Sequence, residues 1–201
     1  VLSEGLFDFA VRGEAEEIIV PLIRALSLDN SKPDIEGVVW PGRESNIQQL
    51  SLEVYEQLPE PAWDMLETPD SFQGFPVETA RGCKSACGFC AIPCPRSWRP
   101  RSPERILRSL QFAQSYSKRT KTQKITVVDD CTTTSAERLL QLGKHLENLL
   151  WSPKLLIDGR IIDIVKQANL LKSLNPYMGS LLLGAECGYN EGLKRVGKPI
   201  N

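Results

Sequence analysis

The second half of the chain alternates between short apolar runs and stretches in which apolar residues recur at helical spacing. Apolar runs occupy 75–80, 124–128, 155–157 and 178–183, and helical patterns occupy 103–113, 139–150 and 161–171. Ser102-Pro103-Glu104 is typical of a helix start, since serine caps the first turn and proline fits its first position. Four strands alternating with helices predict an α/β fold whose parallel sheet is buried on both faces.

The first 70 residues have a different character. An acidic segment from Gly13 opens a predicted helix that contains Pro21, so this helix is kinked there or starts later. A strand is predicted at 35–40, and the proline-rich run 58–64 is expected to be a rigid, extended linker. We therefore predict a short α/β lead-in over 1–70, followed by a main domain over 71–201.

The composition is that of an ordinary globular protein. The 201 residues include 24 Lys and Arg against 25 Asp and Glu, which gives a net charge of −1 and a pI near 6.0. This balance does not support a protein that binds nucleic acid by neutralising phosphates. No apolar run reaches the roughly 18 residues of a transmembrane helix, and no secretory signal is visible. We therefore expect a cytoplasmic protein without a membrane partner.

Four of the six cysteines, Cys83, Cys87, Cys90 and Cys94, lie close together on one segment. Disulfides are typical of small secreted domains, so bound metal is the better interpretation. A structural zinc ion usually takes its four ligands as two separated pairs; no second pair is present, although Cys94 could supply a fourth thiolate. Three thiolates on one loop also suit a cubane iron–sulfur cluster with one open iron, and the spacing favours this interpretation.

The pattern Cys83-x-x-x-Cys87-x-Phe89-Cys90 resembles the radical S-adenosylmethionine superfamily. The resemblance implies that Cys83, Cys87 and Cys90 bind a 4Fe–4S cluster and that Cys94 does not. It also implies that S-adenosylmethionine binds at the open iron and is cleaved there to a 5′-deoxyadenosyl radical. The fold implied is the partial (βα) barrel of this superfamily, here truncated after the fourth of its six strands.

Polar residues follow the predicted strands, at the end where parallel sheets carry function. Besides the cysteine loop, these residues are Asp129, Asp130, Asp158, Arg160, Glu186 and Cys187. By their position in the fold, the resemblance places Asp129 or Asp130 near the amino or ribose groups of S-adenosylmethionine. Glu186 is expected near the ribose, and Arg160 near the carboxylate or a substrate anion. At any single site, the competing interpretation is an acid that caps the next helix.

Cys131 and Cys187 each follow a predicted strand and could face one shared cavity. A thiol in that position is a candidate catalytic group, either as a hydrogen-atom donor or as a substrate ligand. The competing interpretation is that both are small buried hydrophobic residues.

Two motifs in the lead-in resemble the cobalamin-binding members of the superfamily: Arg12-Gly13-Glu14-x-Glu16 and Pro59-x-Pro61-x-Trp63-Asp64. In those proteins such a segment joins an upstream cobalamin domain to the barrel. Residues 1–70 are therefore expected to be the linker and trailing edge of a cobalamin-binding domain, and 71–201 an incomplete radical S-adenosylmethionine core. The cobalamin ligand motif Asp-x-His-x-x-Gly does not occur in the sequence, so cobalamin is expected to be held outside it.

This resemblance implies carbon methylation, or a related radical reaction, on a small-molecule substrate, with an electron donor such as flavodoxin or ferredoxin. A methylthiotransferase is one alternative, because those enzymes share the Cys-x-x-Pro-x-x-Arg run that follows the cluster. A zinc- or iron–sulfur-stabilised module that binds nucleic acid is another, because 81–108 holds seven basic residues and one acid. We do not expect nucleic acid as a partner, since such a run is more often a solvated face or a contact to an anionic cofactor.

Overall fold

The structure, a computed structural model, describes residues 4–29, 32–66, 74–92, 97–118 and 122–198. These residues form two compact units, one of the residues up to Gln57 and one of those from Leu58 onward. The structure thus groups 58–66 with the second unit, while the assignment of 1–70 to a cobalamin-binding domain stays a prediction.

The first unit is a small α/β arrangement. Its elements are β1 (Ala10–Val11), α1 (Ile19–Asp29), β2 (Val38–Val39) and α2 (Leu52–Gln57). β1 and β2 pair in antiparallel fashion, and Ile18, Leu22 and Val38 are buried together as a core. α1 begins at Ile19, which puts Pro21 in the first turn, where its missing N–H removes no helical hydrogen bond. The later start of this helix is therefore confirmed.

The second unit is built on a parallel sheet. Its elements are a 3-10 turn (Trp63–Met65), β3 (Phe75–Val77), β4 (Ala80–Arg81), β5 (Arg99–Pro100), α3 (Pro103–Ser117), β6 (Lys124–Val127), a 3-10 turn (Thr132–Thr134), α4 (Ala136–Glu147), β7 (Lys154–Arg160), α5 (Ile161–Lys166), α6 (Ala168–Ser173), a 3-10 turn (Asn175–Tyr177), β8 (Met178–Gly184) and α7 (Asn190–Arg195). The order β3-β6-β7-β8 is parallel throughout, whereas β4 and β5 form a separate antiparallel pair. The predicted α/β class with a parallel sheet is confirmed.

The core of this unit lies between the sheet and helices α3 and α4. It includes Phe75, Ile106, Leu110, Ile125, Leu142, Leu146 and Leu155. Trp63 belongs to the same core: its ring lies 5.7 Å from that of Phe75 and 6.3 Å from that of Tyr116. The prediction of an extended linker is therefore wrong for its last residues, because a buried aromatic residue anchors them.

Two further predictions differ from the structure. The helix predicted over 161–171 is two short helices, α5 and α6, which break at Gln167; its side-chain amide donates to the Thr133 carbonyl at 2.9 Å. β8 is not buried on both faces, since Leu182 is 72% exposed and Leu183 41% exposed. Within the part of the sheet that the structure describes, β8 has a neighbouring strand on one side only. No helix among the described residues has the length and apolar character needed to cross a membrane.

Candidate functional site

A cavity of about 370 Å³ lies at the carboxyl ends of the parallel strands. Its walls come from the loop after β4, from the ends of β6, β7 and β8, and from Lys198 near the end of the described chain. The predicted site residues in its lining are Cys83, Cys87, Cys90, Asp130, Cys131, Asp158, Arg160 and Glu186. The structure thus brings together side chains that lie far apart in the sequence.

The cysteine loop leaves β4 through a glycine with a positive φ. Gly82 has φ +80°, and a Cβ there would stand 2.0 Å from the Ser97 carbonyl oxygen. Only glycine fits this position without displacing the backbone. Beyond it, Cys83 is buried, whereas Cys87 and Cys90 are half-buried and share a turn closed by the Cys90 N–H and the Cys87 carbonyl, 3.2 Å apart. The loop therefore presents three thiols to one cavity.

The lining of this cavity agrees in chemistry with the cluster that the sequence predicts. A 4Fe–4S cluster is held by cysteine thiolates, and Cys83, Cys87 and Cys90 all line the one cavity. Cys94 lies outside the described residues.

Cys83 is the cysteine whose surroundings most favour a thiolate. Interaction with the Cys131 thiol, together with the Ser85 N–H and the nearby Arg160 guanidinium, lowers the pKa of Cys83 to about 6, although burial opposes the shift. The Ser85 nitrogen lies 3.4 Å from the Cys83 sulfur. The same interaction with Cys83, together with burial, raises the pKa of Cys131, which remains a thiol. A thiolate is the form that binds metal.

Asp129 is not a wall of the cavity. Its carboxylate accepts hydrogen bonds from the Thr79 N–H at 2.6 Å, the Ala80 N–H at 2.9 Å and the Arg138 guanidinium at 2.7 Å. Its side chain has no exposed surface. Burial raises the pKa of the Asp129 carboxyl, while Arg138 and Thr79 act in the opposite direction by favouring the carboxylate. Asp129 therefore ties the end of β6 to β4 and α4, which leaves no oxygen for a cofactor.

Asp130, the next residue, has the opposite environment. It is exposed, lines the cavity, and accepts one hydrogen bond from the Gly82 N–H at 2.6 Å. That bond fixes the start of the cysteine loop beside the end of β6. Of the two aspartates predicted as alternatives, the structure therefore places Asp130 in the cavity.

Arg160 is held firmly at the cavity wall. Its guanidinium donates to both carboxylate oxygens of Asp163, at 2.6 and 2.7 Å, and to the Ser85 hydroxyl at 2.5 Å. The Thr133 hydroxyl donates to the same carboxylate at 3.1 Å. Sequence reasoning missed Asp163, Ser85 and Thr133. The signal that could have found Asp163 is its position three residues after Arg160, at the start of a helix.

Glu186 closes the cavity on the β8 side. It forms an ion pair with Lys198, whose ammonium also donates to the Gly184 carbonyl. Its φ of +53° is rare for a residue with a side chain, and such strain concentrates at functional sites. The pair holds the Glu186 carboxylate at the rim, where the sequence predicts a ribose contact.

A second cavity of about 380 Å³ adjoins the first and shares Ser85, Arg160, Gly184 and Lys198 with it. Cys187 lines this second cavity and Cys131 lines the first. The two thiols predicted to face one shared cavity therefore lie on two adjoining ones. Cys131 is 3% exposed, in keeping with the alternative interpretation of a small buried residue.

The basic run between residues 81 and 108 is partly internal. Arg101 and Arg81 both pair with Glu78, at 2.8 and 2.6 Å, and Arg105 is buried against Glu60. Arginine side chains that are paired with carboxylates inside the protein are not available to neutralise phosphates. The run therefore gives no support to a nucleic-acid surface, while Arg96 lies outside the described residues.

No protein-family model matches the chain, and no curated protein does. Solved structures do match it. The cobalamin-dependent S-adenosylmethionine radical enzyme OxsB, with aqua-cobalamin and S-adenosylmethionine bound, is 22% identical with a TM-score of 0.76 over 94% of this chain and 29% of OxsB. The radical S-adenosylmethionine methyltransferase TsrM from Kitasatospora setae, with cobalamin and a [4Fe-4S] cluster bound, is 14% identical with a TM-score of 0.57 over 89% of this chain and 38% of TsrM.

The chain thus spans less than two fifths of either enzyme, and at these identities the likeness concerns the fold. The predicted resemblance is confirmed at that level. The chain has the fold of the corresponding part of cobalamin-dependent radical S-adenosylmethionine enzymes.

Proposed function

We propose that this chain is the radical-generating part of a radical S-adenosylmethionine enzyme, with Cys83, Cys87 and Cys90 as the ligands of a 4Fe–4S cluster. The observation that carries the proposal is the single cavity into which all three cysteines open, at the functional end of a parallel sheet. Gly82 and Asp130 support it, because they fix the path of the loop that bears the cysteines.

A 4Fe–4S cluster held by Cys83, Cys87 and Cys90 would supply the single electron that cleaves a carbon–sulfur bond of S-adenosylmethionine to methionine and a 5′-deoxyadenosyl radical, and it would be oxidised by one electron. The part of the protein is to hold and orient both partners. The hydrogen bond from the Ser85 N–H to the Cys83 sulfur and the nearby Arg160 guanidinium favour the thiolate that iron requires, although burial of Cys83 acts in the opposite direction.

S-adenosylmethionine carries an ammonium, a carboxylate and ribose hydroxyls, and the cavity offers a group suited to each. Asp130 is the carboxylate that we propose for the ammonium or the ribose, and Glu186 the one for the ribose hydroxyls. Arg160 is proposed for the carboxylate of the ligand, since its guanidinium is fixed at the wall by Asp163. Asp129 is not proposed as a contact to the ligand, because its carboxylate oxygens already accept hydrogen bonds from Thr79, Ala80 and Arg138.

For the reaction we propose carbon methylation of a small molecule, with cobalamin as a further cofactor and flavodoxin or ferredoxin as the electron donor. The similarity to OxsB and to TsrM supports cobalamin dependence, and that to TsrM supports methyl transfer.

Anaerobic reconstitution with iron and sulfide tests the cluster. We expect about four iron atoms per chain, with the broad visible absorption of a cluster. Replacing Cys83, Cys87 or Cys90 by alanine should abolish most of this iron. Cys187→Ala is the matched control, because Cys187 lines only the second cavity, and it should retain full iron. Full iron in Cys87→Ala would contradict the ligand assignment.

A second experiment tests the ligand contacts. Equilibrium binding of S-adenosylmethionine to the reconstituted chain should weaken by about tenfold or more in Asp130→Ala and in Glu186→Ala, since each substitution removes a charged hydrogen-bond acceptor worth about 1.5–3 kcal/mol. Dithionite should produce 5′-deoxyadenosine from the reconstituted chain. Unchanged affinity in both variants would remove these two residues from the proposal.

A further inference from the structure

The end of β7 carries two opposite charges that are not paired with each other. Asp158 and Arg160 are two residues apart on this strand, so their side chains lie on the same face, where both are half-buried and line the first cavity. The carboxylate partner of Arg160 is Asp163, at 2.6 Å, and within the described part of the chain no cationic side chain pairs with Asp158. A partly buried carboxylate of this kind is suited to a charged donor from outside the protein.

The 3-10 turn that follows β6 orients both groups. Its Thr132 donates to one oxygen of Asp158, through the N–H at 3.3 Å and through the hydroxyl at 3.0 Å. The Thr133 hydroxyl of the same turn donates at 3.1 Å to Asp163, the carboxylate that holds the guanidinium. The turn can come this close because Gly159 lies between the two charged residues, and a Cβ there would stand 2.5 Å from the Thr133 side chain. The fold therefore fixes both charged side chains before any ligand binds.

Some hydrogen-bond groups at the end of β7 have no partner among the residues that the structure describes. The Arg160 guanidinium has five N–H groups, of which two donate to Asp163 and one to the Ser85 hydroxyl. One N–H on each terminal nitrogen is left. Thr132 donates only to Oδ1 of Asp158, and no donor in the described chain reaches Oδ2. The cavity wall thus offers one carboxylate oxygen beside two guanidinium donors.

An α-amino acid carries the complementary groups on a single carbon. Its amino group has N–H donors in either protonation state, and its carboxylate can accept from both remaining N–H groups of the guanidinium. We propose that Asp158 and Arg160 together bind the amino acid end of S-adenosylmethionine, Asp158 through the amino group and Arg160 through the carboxylate. The inference rests on the proposed function and deepens it, because it adds Asp158 to the binding residues and leaves Asp130 for the ribose.

The test is equilibrium dialysis of the reconstituted chain against three ligands that share the adenosine group. S-adenosylmethionine has both the amino group and the carboxylate, its decarboxylated form keeps the amino group alone, and 5′-methylthioadenosine lacks both. Asp158→Asn should weaken binding of the first two by about tenfold or more and leave the third unchanged, because its amide still accepts from Thr132 but presents an NH2 group to the ligand. Arg160→Gln should weaken binding of S-adenosylmethionine alone, by a similar factor.

Two further variants secure the comparison. Asp64→Asn removes the same charge from an exposed position that lines neither cavity, and it should leave all three affinities unchanged. Because Arg160→Gln leaves Asp163 without its cation, iron content and circular dichroism are measured for each variant. Arg160→Lys, which keeps a cation beside Asp163 but loses the paired donors, takes the place of Arg160→Gln if that variant does not fold, and the same selective loss is expected.

Three results would overturn the inference. Unchanged affinity for S-adenosylmethionine in Asp158→Asn or in the Arg160 variant, with full iron, would remove that residue from the binding site. Equal loss for all three ligands in Asp158→Asn would show that Asp158 only supports the turn at Thr132. A wild type that takes up iron but binds 5′-methylthioadenosine as tightly as S-adenosylmethionine would have no amino acid site, and the cluster assignment would stand. A wild type that takes up no iron would instead refute the proposed function.

Discussion

The two adjacent aspartates after β6 allow a sharp test of the structure, because they differ in environment and not in chemistry. Replacing Asp129 by alanine leaves the Arg138 guanidinium buried without its carboxylate, and it removes the acceptor of the Thr79 and Ala80 amides. Removing one partner of a buried ion pair costs about 3–5 kcal/mol. The amide losses, at about 1–3 kcal/mol each, belong to the same network and do not simply add.

We therefore expect Asp129→Ala to lower the free energy of unfolding of the second unit by about 4 kcal/mol. With a urea dependence of about 2 kcal/mol per molar, the unfolding midpoint should fall by roughly 2 M. Asp130→Ala removes one hydrogen bond at an exposed site, where water replaces it, and should cost about 0.5–1 kcal/mol. Urea unfolding of both variants under reducing conditions, followed by circular dichroism, measures the difference.

Asp129→Asn adds a control for charge. The amide keeps one acceptor oxygen and nearly the same volume but cannot neutralise Arg138, so most of the loss should persist. Equal midpoints for Asp129→Ala and Asp130→Ala, or a loss below about 1 kcal/mol in Asp129→Ala, would refute the assignment of Asp129 to the fold.

Three further substitutions test other parts of the structure. Gly82→Ala should cost about 1–3 kcal/mol in backbone strain and lower iron uptake, as a Cβ would meet Ser97; Gly188→Ala, with open space around it, is the control for both measurements. Gly13→Ala should lower the stability of the first unit, measured by amide hydrogen exchange, because the added Cβ would stand 2.1 Å from the Gln48 carbonyl oxygen. Gly42→Ala is the control: Gly42 also has a positive φ but no atom within 4 Å of the added Cβ, and its substitution should cost about 1 kcal/mol. Trp63→Ala should lower the free energy of unfolding in urea by about 3–5 kcal/mol, because Trp63 belongs to the core. A loss below about 1 kcal/mol would show that 58–66 is a linker without a role in the core.

Much of the fold could be predicted from local patterns. α3 begins where the Ser102-Pro103 pair predicts, with the serine hydroxyl accepting from the Arg105 N–H at 3.2 Å. The face of α4 formed by Leu139, Leu142 and Leu146 is buried as its spacing predicts. These predictions succeed because caps and helical periodicity depend on residues near each other in the sequence.

The predictions fail where local structure or burial depends on residues that are distant in the sequence. The break at Gln167 depends on a carbonyl contributed by Thr133 from another loop, and no local pattern encodes it. The burial of Trp63 depends on the rings of Phe75 and Tyr116. The apolar residues Leu182 and Leu183 predict a strand that is buried on both faces, yet both are exposed. The exposure of a strand residue depends on what packs against the sheet and not on the strand itself.

The choice between Asp129 and Asp130, by contrast, could have been made from the sequence, because it depends on which residues along β6 point to the buried face. Side chains alternate between the two faces of a strand, and this alternation continues past the end of β6. Ile125, Val127 and Asp129 are buried, whereas Val128 and Asp130 are exposed. Continuing the alternation of Ile125 and Val127 two residues further would have assigned Asp129 to the interior and Asp130 to the cavity.

The same alternation places Cys131 on the buried side, where it is 3% exposed. Its sulfur lies 3.7 Å from the Thr133 hydroxyl and 3.8 Å from a carboxylate oxygen of Asp163. A buried S–H is stabilised only if it finds an acceptor, and a carboxylate is a better acceptor than a neutral group because it carries charge. The alternation that buries Asp129 therefore also places the Cys131 thiol against the carboxylate that holds Arg160.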